Sequence, residues 1–171
     1  MKRSWMFIVG CWTGVIFAFF SLFLNVLDIT ELGAGYSAFS KMLAEMSGDK
    51  IFPIGLYGAF LIISFVASLL SLGFLVLDEF KILHVDENVL RLIKLIAGAV
   101  VAFIGLLTFI YGCCYVGSVR VALGDIGVLG GSPIILFIGT LLCGGALVAN
   151  VFLNKEPAKE KKEEIKIVDA E

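Results

Sequence analysis

The sequence predicts an all-α polytopic membrane protein, a four-helix transmembrane bundle with both termini cytoplasmic. Three observations carry that expectation. Apolar residues make up 60% of the 171 positions and mean hydropathy is +1.03, whereas soluble domains are about half apolar and a chain this short cannot hide the excess in one core. The charges leave four gaps, at 4–27, 51–77, 95–119 and 126–154, with no Asp, Glu, Lys or Arg over 24, 27, 25 and 29 residues. A transmembrane helix needs about 20 apolar residues at about 1.5 Å each, so each gap suffices. These runs are apolar on all sides, unlike the alternating segments of about ten residues in membrane barrels.

The predicted spans are 5–27, 51–77, 92–117 and 132–153, within a single transmembrane domain at 1–154 followed by a charged tail at 155–171. The first apolar run is too long for a secretory h-region of about 7–15 residues, so a retained first span is expected. Ile8-Val9-Gly10-Cys11 resembles a lipoprotein processing box, yet only Trp5 to Val9 precede it as apolar sequence and the run continues well past Cys11. Cys11 reads as a residue packed in a helix.

Lys and Arg number ten in the N-terminus, second loop and tail together, against three in the first and third loops. The positive-inside rule puts the ten in the cytoplasm. The first loop, 28–50, is then outside. Phe39, Leu43 and Met46 repeat there at helical spacing with Tyr36 a turn earlier and Gly48 as a stop, so a short amphipathic surface helix and an irregular loop are evenly matched. In the second loop, Asp86 followed by Glu87, with Val85 and Leu90 spaced as a hydrophobic staple, starts the third helix near Glu87. The third loop holds Gly117, Gly124, Gly127, Gly130 and Gly131 before Pro133. It lacks the Gly-Lys-Ser/Thr ending of a phosphate loop and reads as a flexible turn leading to a helix that starts near Pro133. The tail mixes five Lys with six acids and cannot bury a core.

Small residues recur along one face of every span. Gly10, Gly14, Ala18, Ser21 and Asn25 do so in the first, Ser64, Ser68 and Ser71 in the second, Gly98, Ala102, Gly105 and Gly112 in the third, and Gly139, Cys143, Ala146 and Asn150 in the fourth. In lipid, close backbone approach and interhelical hydrogen bonds drive association, so these faces are expected to pack together within the chain. A homodimer through Gly10 and Gly14 is the lesser alternative.

Chemistry is harder to find. Embedded ionisable groups mark transport and proton relay, but Asp28, Lys50, Asp78, Lys94 and Arg120 all fall at or beyond the span ends. Adjacent Cys113 and Cys114 lack the Cys-x-x-Cys spacing of a thiol relay, and His84, the single histidine, lacks ligand spacing. No catalytic residue, metal site or cofactor is expected, and a net charge of −2 points to no nucleic-acid partner. The leading expectation is a non-catalytic accessory, scaffold or assembly protein of a cell membrane, with the lipid bilayer, another membrane protein or a second copy as partners. The alternative is a channel or facilitator for a small neutral or lipidic solute, lined by hydroxyls such as Ser71, Thr108 and Thr140. An enzyme acting on lipids would have to draw on interfacial residues.

Overall fold

The computed structural model describes residues 3–29, 34–37, 54–82, 85–123 and 127–153. Four helices dominate: α1 (Arg3–Ser21), α2 (Ile54–Glu79), α3 (Glu87–Leu123) and α4 (Gly131–Leu153). Of these, α2, α3 and α4 are long and apolar enough to cross a bilayer, while the apolar run of α1, Trp5–Ser21, is shorter. Their outward faces carry Leu, Ile, Val and Phe, for example Ile63, Leu70, Phe103, Ile110 and Leu141. An apolar surface this continuous marks a membrane-embedded protein.

The helices do not account for everything outside the predicted spans. A small sheet of β1 (Asn25–Ile29), β2 (Ala34–Ser37) and β3 (Gly127–Leu129) caps one end of the bundle. The strand order is β2-β1-β3 and both pairings are antiparallel. Asp28 faces Gly35 on one side and Val128 on the other, and the β1–β2 register slips between Asn25 and Leu27. Three expectations are corrected here. The first helix ends at Ser21, so 22–27 leave the predicted span and Asn25 is not on the small-residue face. Tyr36 lies in a strand, not in an amphipathic helix; Phe39, Leu43, Met46 and Gly48 fall outside the described residues, as does the tail. Part of the glycine-rich third loop is a strand.

The chain leaves the helix because the sheet serves it better. Leu22 and Phe23 make tightened i→i−3 bonds to the carbonyls of Phe19 and Phe20 at 3.1 and 3.0 Å. Three residues on, Val26 is fully buried in a cluster with Ala18, Tyr57, Leu61, Tyr115, Val116 and Leu136. Val26 thus closes the sheet end of the core, while its carbonyl accepts from the N–H of Gly130 at 2.8 Å. A Cβ on Gly130 would sit 2.1 Å from the Asn25 carbonyl oxygen, so only glycine fits this approach of β1 to the start of α4.

At the opposite, terminal end, where α1 begins and α4 stops, α2 ends in a Schellman motif. The Ile82 N–H reaches the Leu77 carbonyl at 3.1 Å and the Lys81 N–H reaches that of Asp78 at 2.9 Å. Lys81 occupies the left-handed position, φ 54°, normally held by glycine. Helix α3 then starts at Glu87, with the Leu90 N–H bonded to the Asp86 carbonyl at 2.9 Å, as expected of an N-cap.

Helix α4 is the hub. It packs most extensively on α1 and α3 and also meets α2. The 37 residues of α3 extend about 56 Å, longer than the hydrocarbon of about 30 Å. Its residues beyond Gly112, about 16 Å of helix, flank β3 and β1.

Two substitutions test the packing. A Cβ at Gly105 would lie 1.8 Å from Thr140 Oγ1 and 2.5 Å from Thr140 Cβ; no rotamer change moves the latter. Gly105→Ala should cost about 1–3 kcal/mol in detergent unfolding, while Gly73→Ala, with open space around it, should stay within about 1 kcal/mol of the parent. Lys81→Gly should stabilise the chain by about 1 kcal/mol by removing left-handed strain, read as a rise in unfolding midpoint.

Candidate functional site

Most of the buried polar side chains line the inner faces of α2, α3 and α4 and run from the sheet end to the terminal end. At the sheet end, Ser132 donates its hydroxyl to the Ser21 carbonyl at 2.7 Å. Its single proton is thereby committed, so Tyr57, 3.4 Å away, donates to Ser132 Oγ. This ties α1, α2 and α4 together just below the sheet. Gly112 admits them: a Cβ there would press on Pro133 and on the Tyr57 ring.

In the middle lie Ser64, Ser68, Ser71, Thr108 and Thr140, all buried. Each hydroxyl donates to a carbonyl on its own helix, those of Phe60, Ser64, Ala67, Ile104 and Phe137, at 2.7–2.9 Å. Ser64 Oγ and Thr108 Oγ1 lie 3.1 Å apart across α2 and α3. Such back-bonding is how a hydroxyl is satisfied in a medium without water. Beside Ser68, Cys143 donates its thiol to the Cys11 carbonyl at 3.3 Å. Cys11 and Cys143 are both fully buried, so Cys11 is a partner of α4 and not of Cys113 and Cys114.

The terminal end holds the one charged cluster among these groups. Lys94, 6% exposed, projects between three helices. Its Nζ donates to Asp78 Oδ2 of α2 at 2.5 Å and to Asn150 Oδ1 of α4 at 2.6 Å. A cation in so low a dielectric needs both a counter-charge and further hydrogen-bond partners. Asp78 supplies the first and Asn150 adds to the second. By sequence, Lys94 and Asp78 fall at span ends and Asn150 on the small-residue face of the fourth span; the fold brings all three together at one level. A signal existed: Asp78 and Lys94 bracket a short turn, so an antiparallel hairpin brings them level.

The small-residue positions divide. Gly14 and Gly139 meet backbone to backbone, and a Cβ on Gly14 would lie 2.5 Å from the Gly139 oxygen. Ala18 abuts Gly139. Gly98 meets Gly144, with Ala102 alongside, and Gly105 receives Thr140. Ala146 is buried against the cluster formed by Cys11, Val15, Leu72, Leu75, Val101 and Leu147. The face of Gly14 is thus occupied within the chain. Gly10 is not brought in: no atom approaches the place of its Cβ. It lies in an open groove of 240 Å³ between α1 and α4, together with Met6, Phe7, Leu141, Leu142, Gly145, Ala146 and Ala149.

Two features decide what this arrangement can do. No buried side-chain polar atom among the described residues lacks a partner, and the helix crossings are closed by backbone contacts. The polar groups are therefore spent inside the bundle, those at its two ends joining helices and the central hydroxyls bonding their own helix backbone. Compared with known protein families, curated proteins and solved structures, the chain matches none.

The cluster at Lys94 yields an asymmetric prediction. Asp78→Ala strands a lysine whose side chain is 8% exposed and should cost about 3–5 kcal/mol. Lys94→Ala strands an aspartate that is 22% exposed and can rehydrate, so it should cost less. Combining Asp78→Leu with Lys94→Met should recover much of the loss, since replacing both members of a pair is milder than removing one. Unfolding of the four proteins in one detergent would check the order.

Proposed function

We propose that the chain is a non-catalytic accessory, scaffold or assembly protein of a cell membrane, crossing it four times with both termini in the cytoplasm. The observation that carries the role is the closed interior: among the described residues, every buried polar side chain is spent on helix backbone or on a neighbouring helix. A body of this kind presents its outer surfaces to partners. The four-span orientation draws support from the excess of Lys and Arg at the terminal end. The apolar run of α1 reaches about 26 Å at helical rise, close to the hydrocarbon thickness.

The competing reading is a facilitator for a small neutral or lipidic solute. The buried hydroxyls of Ser64, Ser68, Ser71, Thr108 and Thr140 favour it to the extent that they share the inner faces of three helices. An open path would require them to exchange backbone bonds for solute.

Purification of the native protein in a mild detergent is expected to bring down a second membrane protein in fixed stoichiometry. Purified protein in liposomes is expected to leave solute flux at the level of empty vesicles. Flux that appears with the protein and is lost in Ser68→Leu, with no stable partner, would overturn the accessory role in favour of the facilitator.

A further inference from the structure

We infer that the α2–α3 turn is a membrane-interface anchor, its apolar residues seated in the headgroup layer of the leaflet at the terminal end and not in water. The inference rests on the membrane-embedded reading of the helices and is independent of the accessory role. Two buried polar layers set the scale. Tyr57 bonds Ser132 near the sheet, and Asp78 bonds Lys94 near the termini. Twenty-one residues of α2 separate the two layers, about 32 Å at helical rise, which is the thickness of the hydrocarbon. The Asp78–Lys94 layer therefore marks the hydrocarbon edge.

Beyond that edge apolar side chains stay exposed beside the charged ones of Lys81, Asp86 and Glu87. Phe80 is 63% exposed and Ile82 58%, and Val85 and Val89 are exposed as well. Val89 precedes Lys94 by five helical residues, about 8 Å. The headgroup region adds about 5–8 Å on each side of the hydrocarbon, from a total of about 40–45 Å, so this apolar ledge and that layer coincide in depth. The ledge is continuous with the lipid-facing stripe of α3 through Leu92, Ile93 and Ile96, all exposed, and that continuity identifies lipid as its occupant. The Schellman bonds at Lys81 and Ile82 hold the backbone where the chain leaves α2, so Phe80 and Ile82 are presented without further ordering there.

Charge sets which lipid is required. Lys94 is engaged by Asp78, and Arg91 is engaged by Glu87. Of the other described charges here, Glu79, Lys81 and Asp86, two are acidic. The ledge therefore has no need of anionic lipid, and its seating is apolar and insensitive to salt.

The test uses the full chain with Trp5→Phe and Trp12→Phe, in phosphatidylcholine vesicles, carrying a single new tryptophan in each variant. Ile82→Trp and Val89→Trp replace exposed side chains and leave the core untouched, and Leu70→Trp, at a position 68% exposed near the middle of α2, reports whether the helices lie in hydrocarbon at all. For positions 82 and 89, lipids brominated high on the acyl chain should quench at least about twofold more than lipids brominated near the chain end. Aqueous iodide should quench several-fold less than it does free tryptophan amide, and raising salt from about 0.1 M to about 1 M should change nothing, although the Debye length falls from about 10 to about 3 Å. Leu70→Trp should show the reverse bromine preference. Strong iodide quenching without bromine quenching at 82 and 89 would place the turn in water and overturn the inference. So would shielding from both quenchers, which means protein covers the ledge, or a preference for deep bromine, which means it lies in hydrocarbon. If Leu70→Trp also escapes the bromolipids, the membrane-embedded reading itself falls.

Discussion

The structure depends on how closely the backbone of α4 can approach α1 and α3. Hydrocarbon surrounds an apolar helix as well as another helix does, so side-chain apolarity does not bring these segments together. What does is the contact area and polar pairing that become available once the helices nearly touch. Gly14 on Gly139, Gly98 on Gly144 and Thr140 on Gly105 create that proximity at three heights. Three of the interhelical bonds, Ser132 to Ser21, Cys143 to Cys11 and Lys94 to Asn150, reach or leave α4. They can form because the glycines let the axes come close. The hub position of α4 follows from its small residues, of which Ser132, Gly139, Thr140, Cys143, Gly144 and Ala146 are buried.

The same proximity decides the fate of the polar side chains. A hydroxyl in a dry bundle can bond a carbonyl of its own helix, a neighbouring helix, or water in a cavity. With the crossings closed, the first option serves Ser64, Ser68, Ser71, Thr108 and Thr140. Lys94 cannot use it, because its charge exceeds what one carbonyl can offset. It is tolerated where three helices converge and supply a carboxylate and an amide at one level. Each of the two ends is thus fastened by polar bonds that link three helices, and the length between them matches a bilayer.

The sheet shows where local pattern misleads. The spacing of Gly10, Gly14, Ala18, Ser21 and Asn25 continues one helical face, and nothing in that stretch breaks a helix. The helix nonetheless ends at Ser21, because Val26 fills the end of the core and β1 pairs with strands from two different loops. One of those strands lies about a hundred residues away in the chain. A pairing of that range leaves no trace in the periodicity of either segment, and its advantage exists only when α4 has brought β3 alongside.

The amino-acid order by itself determined the class of solvent and the number of helices. Charge-free runs of 24 to 29 residues favour apolar helices in lipid, and the start of α3 at Glu87 follows from local capping chemistry. It also marked Gly14, Ala18, Gly98, Ala102, Gly105 and Gly139 as small, because side-chain volume is a property of one residue. Only the tertiary structure decided which of those positions meet. It left Gly10 in an open groove, joined Lys94 to Asp78 and Asn150, paired Cys11 with Cys143 and turned 25–29 into a strand. The physical reason is common to all four. Each depends on the relative height and rotation of helices far apart in the chain, and those are set by the sum of close contacts, which no single segment contains.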